Sequence, residues 1–139
     1  MPIQHINPPG LLQFDAMSQV VVASGGRTVY IAGQSASDVN FEVVGGNDYY
    51  AQSVQALRNL RTAVEAAGGS VENIVSSTVY LKNLTPEIAG RFLEALAIAC
   101  EGKSFPPHAF SLIGVASLAG ADLLVEITAV AVIDAAVAA

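Results

Sequence analysis

Glu126 is the side chain in this sequence whose setting most calls for chemistry. It interrupts Leu123-Leu-Val-Glu-Ile-Thr-Ala-Val130, an almost wholly aliphatic, β-branched run. A carboxylate inside such a run must face water, find a partner, or change its protonation and do work. On strand alternation it shares a face with Leu124, Thr128 and Val130. Either it is an exposed acid near a sheet edge, or its setting shifts its protonation so that it can do chemistry. The other reactive types are sparse. His5 and His108 are the only histidines and stand far apart, and no His/Cys/acid spacing matches a metal-ligand set. No P-loop, G-x-G-x-x-G or G-x-S-x-G is present, so neither a metal nor a cofactor is expected. Cys100 follows Ile98-Ala99 on a predicted helix and reads as a buried, inert thiol. No local motif supports a Ser/His/Asp triad.

Positioning Glu126 falls to the elements around it. Residues 110–130 form two apolar runs broken at Ala119-Gly-Ala-Asp122, the pattern of two strands and a turn. Residues 3–6 read as a short strand ahead of the Asn7-Pro-Pro-Gly10 breaker. Runs at 18–24 and 27–32, separated by Gly25-Gly26, carry a two-residue hairpin signal. A loop is expected from Gly33-Gln34-Ser35 to about Gly46. Asn47 or Asp48 can cap a helix reaching about Ala67, with Val54, Leu57, Leu60, Val64 and Ala67 as its apolar stripe. Residues 74–82 read as a strand. Thr85-Pro86-Glu87 is a helix start, with Ile88, Phe92, Leu96 and Ala99 inward and Gly102 at its end. Hairpins at both ends with helices between them predict an α+β sandwich with the helices on one sheet face.

The 139 residues fit one domain, 1–139. Charged residues are 13% of the chain, against roughly 25% in average soluble proteins, which leaves too few charges to cover a monomer's surface. Burying part of that surface against copies of itself is the physical remedy, so a homo-oligomer is expected. No apolar run approaches a membrane span, the N-terminus has no secretory pattern, and a single cysteine excludes an internal disulfide. These features place the expected location in the cytoplasm. The net charge of −6, with no Lys/Arg cluster, argues against nucleic-acid binding.

Four segments carry a resemblance. They are Gly33-Gln34 at the end of an apolar strand, the helix Gln55–Gly68, the strand Val79-Tyr-Leu-Lys82, and Gly114–Ile127 with its closing Leu-Val-Glu-Ile. In this order and spacing the chain resembles the Rid (YjgF-type) family of reactive-intermediate deaminases, which act on enamines and imines. The resemblance implies a chorismate-mutase-like α+β sandwich, with a mixed sheet and two helices on one face. It also implies a homotrimer with three inter-subunit clefts that take a small-molecule ligand. In the family's deaminases a cleft arginine holds the substrate carboxylate, a glutamate matching Glu126 positions the attacking water, and backbone matching Gly33 helps hold the substrate. The products are a 2-oxo acid and ammonia.

This chain departs from the pattern at the clamp. The family arginine falls at Phe110 by counting back from Glu126, or at His108 by matching Phe105-Pro106-Pro107. The family tyrosine falls at Met17, the asparagine near Arg91 or Leu93, and a strand-end serine at Ala32. The expected site is therefore Glu126 as catalytic residue, with Gly33, His108, Phe110 and Met17 as substrate contacts. The expected function is a Rid-like hydrolase acting on an imine, enamine or related C–N bond with altered specificity. The alternative is a non-catalytic trimer that binds a metabolite or protein partner in the same clefts. RNA cleavage is disfavoured by the acidic charge, and neither nucleic acid nor membrane is an expected partner.

Overall fold

The computed structural model describes residues 3–135 of the chain. Its longer helix, α1 (Tyr49–Ala66), starts where Asp48 accepts the N–H groups of Tyr50 at 2.9 Å and Ala51 at 3.3 Å. Those bonds satisfy donors that a helix start leaves open. The expected stripe turns inward: Val54, Leu57, Leu60 and Val64 are buried, while Ala67 is only partly so. Thr85 caps the second helix, α2 (Pro86–Leu96), through the N–H of Ile88. This helix stops well before Gly102. Phe105 N–H bonds back to the Leu96 carbonyl, and Cys100 sits half-buried in a turn that pairs with Lys103. The expected helical setting of Cys100 is thereby corrected.

Among the described residues six strands accompany the helices: β1 (Ile3–Ile6), β2 (Val20–Ala23), β3 (Arg27–Ser35), β4 (Ile74–Lys82), β5 (Ala109–Val115) and β6 (Val125–Ile133). Neither expected hairpin forms. β2 pairs with β1 as a separate two-stranded ribbon, and β3 pairs with β6 from the far end of the chain. The glycines at 25 and 26, both with φ near 70°, swing the chain from one sheet to the other. β5 and β6 are likewise not neighbours. The order is β3-β6-β4-β5, with β4 parallel to β5 and antiparallel to β6. β3 also runs on through the expected loop start at Gly33-Gln34-Ser35.

Both helices pack on one face of this mixed sheet. Val79, Leu81, Val125, Ile127, Ala129 and Ala131 meet Leu57, Leu60, Phe92 and Leu96 in a continuous core. Each fully buried large aliphatic or aromatic side chain there contributes about 1.5–3 kcal/mol, so this layer dominates the stability. Register and alternation turn Tyr30, Ser76, Thr78, Tyr80, Ser111, Ile113, Glu126, Thr128 and Val130 to the opposite, open face. Tyr30 is 81% exposed there.

Candidate functional site

β6 presents Glu126 on the open face, level with Ser35 of β3 and Tyr80 of β4. The β3–β6 register shifts between Ile31 and Gln34, so Ala32 and Gly33 together face Thr128 in a bulge. The bulge brings the backbone of Gly33 under the Glu126 side chain. A Cβ at position 33 would stand 2.6 Å from Glu126 Cδ and 2.8 Å from Cγ, closer than any carbon contact permits. Gly33 is required here for space. The Glu126 carboxylate lies directly against the main chain of this bulge, whose Ala32 carbonyl accepts the Gln34 side-chain amide at 3.0 Å.

Two amides of α1 hold the segments that make this contact, and a third supports one of them. Gln52, fully buried, donates to the carbonyls of Gly46 (2.7 Å) and Asp122 (2.9 Å) and accepts the N–H of Leu124 (2.9 Å). Asn59 donates to the carbonyls of Ser35 (2.8 Å) and Ser37 (3.2 Å), with its own oxygen held by Gln55 at 3.0 Å. Around them, Tyr49 bonds the Lys82 carbonyl at 2.6 Å, and the Lys82 ammonium bonds the Ala121 carbonyl at 3.1 Å. The Phe41 ring closes over Gly120, where an added Cβ would sit 3.3 Å from its tip. Loop 36–48 and the turn at 119–124 are therefore joined to each other where the chain enters β6.

The other expected site residues lie elsewhere. His108 is 2% exposed and faces the helix layer. Its Nδ1 stands 3.0 Å from the Pro106 carbonyl, which only accepts, so Nδ1 carries the proton. Nε2 is then the acceptor for the Ser77 hydroxyl at 2.7 Å. Burial holds this ring's pKa below the usual 6.5; the bond to Pro106 opposes that shift and the charge of His5 adds to it. Phe110 pairs in register with Ser77 and packs edge-on against Phe92, 6.4 Å between centroids. Neither residue shares a face with Glu126. The β5 residues that do are Ala109, Ser111, Ile113 and Val115, none of them charged. Met17 lies beside Ser18, in a polar cleft with His5, Asp15, Glu72, Pro106 and Pro107 at the end of the sheet where β4 and β5 begin. Along β4, the level of Ala109 and that of Glu126 are four residues apart, about 13 Å at a strand's rise. Within one chain the fold thus joins Gly33 to Glu126 and gathers Met17, His108 and Phe110 at the other end.

Sequence reasoning missed Gln52, Asn59 and Tyr80. Tyr80 was legible from the alternation of residues 74–82. Gln52 stacks at i, i+4 and i+8 with Ala56 and Leu60, a polar residue in a buried row, and that was its signal. Among the described residues no three His, Cys, Asp or Glu side chains converge as metal ligands would. Among the same residues no helix is long and apolar enough to cross a membrane.

Residues 13–133 match the family described as Endoribonuclease L-PSP. A RutC family protein of Saccharolobus solfataricus is 31% identical over 106 residues, covering 76% of this chain and 79% of the relative. Among solved structures, a Rid-family protein from Yersinia pestis, YyfB, described as of unknown function, is 37% identical. It covers 96% of this chain and 100% of its own with a TM-score of 0.84. RidA from the Antarctic bacterium Psychrobacter sp. is 30% identical over 87% of this chain and 97% of its own, with a TM-score of 0.66.

Proposed function

The chain belongs to the Endoribonuclease L-PSP family, the YjgF/Rid proteins, and from that premise we propose that it is a small-molecule hydrolase acting on an imine, enamine or related C–N bond. The observation that carries this reading is the Glu126 carboxylate seated on the backbone of Gly33. A carboxylate held at fixed height against a strand bulge can hold a water against a planar, electrophilic carbon. An enamine first tautomerises to its imine. As the water oxygen bonds to the imine carbon, Glu126 accepts the water's proton and the C=N electron pair moves to nitrogen. Nitrogen takes that proton to give a carbinolamine. Glu126 then draws the hydroxyl proton and passes it to nitrogen, the oxygen electron pair forms C=O as the C–N bond breaks, and a carbonyl compound and ammonia leave. General-base assistance of this kind contributes about 10²–10⁴-fold.

The specificity differs from that of a carboxylate-clamping deaminase. β5 offers Glu126's face only Ala109, Ser111, Ile113 and Val115, so an α-carboxylate would find no guanidinium there to fork it. Substrates without that group fit better. The net charge of −6 opposes RNA cleavage, since a polyphosphate backbone would be repelled. The working unit is a homotrimer, in which a second copy covers the open face and supplies the rest of each cleft. The low charge content and the uncovered Tyr30, Ile113 and Val130 support this.

The test is ammonia release from imines generated in place, with and without an α-carboxylate, by the wild-type protein and Glu126→Gln. Turnover of uncharged imines that Glu126→Gln loses without losing its fold is the expected result. Equal rates for the two proteins would end the catalytic reading. No turnover of any imine, with a small metabolite still bound, would leave the non-catalytic binding trimer.

A further inference from the structure

Gln52 takes no part in the chemistry proposed above, yet it is the amide most committed to Glu126's surroundings. A side-chain amide offers two N–H donors and a carbonyl acceptor, and here Gly46, Asp122 and Leu124 engage all of these in a fully buried setting. A buried amide is costly unless it is satisfied, and an apolar side chain of equal size would fill the same space. What such a side chain could not do is tie three backbone segments together. Gly46 lies at the end of the loop that follows β3. Asp122 and Leu124 belong to the turn that leads into β6, and Leu124 stands two residues before Glu126. On the other side, the Leu124 carbonyl accepts the Lys82 N–H at 3.0 Å, so the N–H and the C=O of this residue are both pinned. Seven residues along α1, two helical turns away on the same side, Asn59 grips the end of β3 at Ser35 and Ser37. The two amides hold the two strands whose meeting point is Glu126 on Gly33.

We infer that Gln52 is a positioning residue for Glu126: through Asp122 and Leu124 it sets the height at which β6 carries the carboxylate over Gly33, with Asn59 fixing the opposing strand. Its catalytic consequence rests on the hydrolytic reading above; its structural consequence does not. A side chain that only fills space would affect stability alone. A positioning residue alters the turnover step while substrate binding persists, because a displacement of about 1 Å costs about 10²-fold in rate.

Two variants test it. Gln52→Met keeps the volume and removes all three bonds. Gln52→Glu keeps the acceptor for Leu124 but can donate to a carbonyl only when protonated. In Gln52→Met, amide exchange at residues 122–126 should quicken by about 10-fold or more while Val79 and Leu81 keep wild-type rates. The ¹³C resonance of the Glu126 carboxyl group should shift, and kcat should fall with KM nearly unchanged. Gln52→Glu should regain activity relative to wild type as pH is lowered, and it replaces Gln52→Met should that variant not fold. Unchanged exchange and an unmoved Glu126 resonance overturn the assignment whatever the activity. Faster exchange with wild-type kcat also overturns it, reducing Gln52 to a packing role. If the wild-type protein hydrolyses nothing, the hydrolytic reading fails by itself, and the Glu126 resonance still decides whether Gln52 positions the carboxylate.

Discussion

Gly33→Ala changes stability in opposite directions depending on whether Glu126 is present. Position 33 is not in the left-handed region, so alanine there carries no backbone strain, and fewer unfolded conformations would stabilise the protein by about 0.4–1 kcal/mol. Against that stands the contact with Glu126, where the new Cβ falls 2.6 Å from Cδ and 2.8 Å from Cγ. Cγ is too near the backbone to swing aside by a change at the tip, so the whole side chain must leave its rotamer or the bulge must spread. Overpacking of this kind costs about 1–3 kcal/mol. The net expectation is a loss of about 0.5–2 kcal/mol, together with a fall in turnover of about 10²-fold because the carboxylate is displaced. In a Glu126→Ala background the clash is gone, and Gly33→Ala should stabilise by about 0.4–1 kcal/mol. Denaturant melts of the four proteins, with ammonia release from the two that retain Glu126, make the measurement. A Gly33→Ala protein as stable and as active as wild type would show that Glu126 does not rest on Gly33 in solution.

His108 gives a pH dependence with a definite sign. Its folded-state pKa is below 6.5 because of burial, so the unfolded chain binds more protons as pH drops. Stability should therefore be fullest above about pH 6.5 and decline below it, by up to about 1.4 kcal/mol per pH unit. Melts over pH 4.5–8 should show a shallower acid slope for His108→Phe, and an equal slope would mean the ring is not buried neutral. Light scattering should report three times 14.3 kDa; a monomer at micromolar concentration would contradict the proposed assembly.

Local signals carried the helices and most strand positions. Asp48, Thr85 and the 54-57-60-64 stripe act within a few residues of where they are read. Pairing partners were not legible in the same way. The runs around Gly25-Gly26 look alike whether they fold on each other or diverge, and β3's true partner lies about 100 residues onward, from Arg27 to Ile133. Glu126 stood out because a charge in an aliphatic strand is costly anywhere. The face occupied by His108 and Phe110 did not, since β5 is an edge strand whose two faces are both partly covered and give its sequence no clean alternation. Residues 1–2 and 136–139 lie outside the described structure.

The strand order has a consequence for how the protein comes into being. Of the described strands β6 is made after all the others, yet it sits between β3 and β4, which were made long before it. Until it inserts, both of those strands present bare edges that invite pairing with other chains. The carboxylate arrives on the same strand that closes the sheet. A chain truncated before residue 125 therefore lacks both the strand that completes the sheet and Glu126.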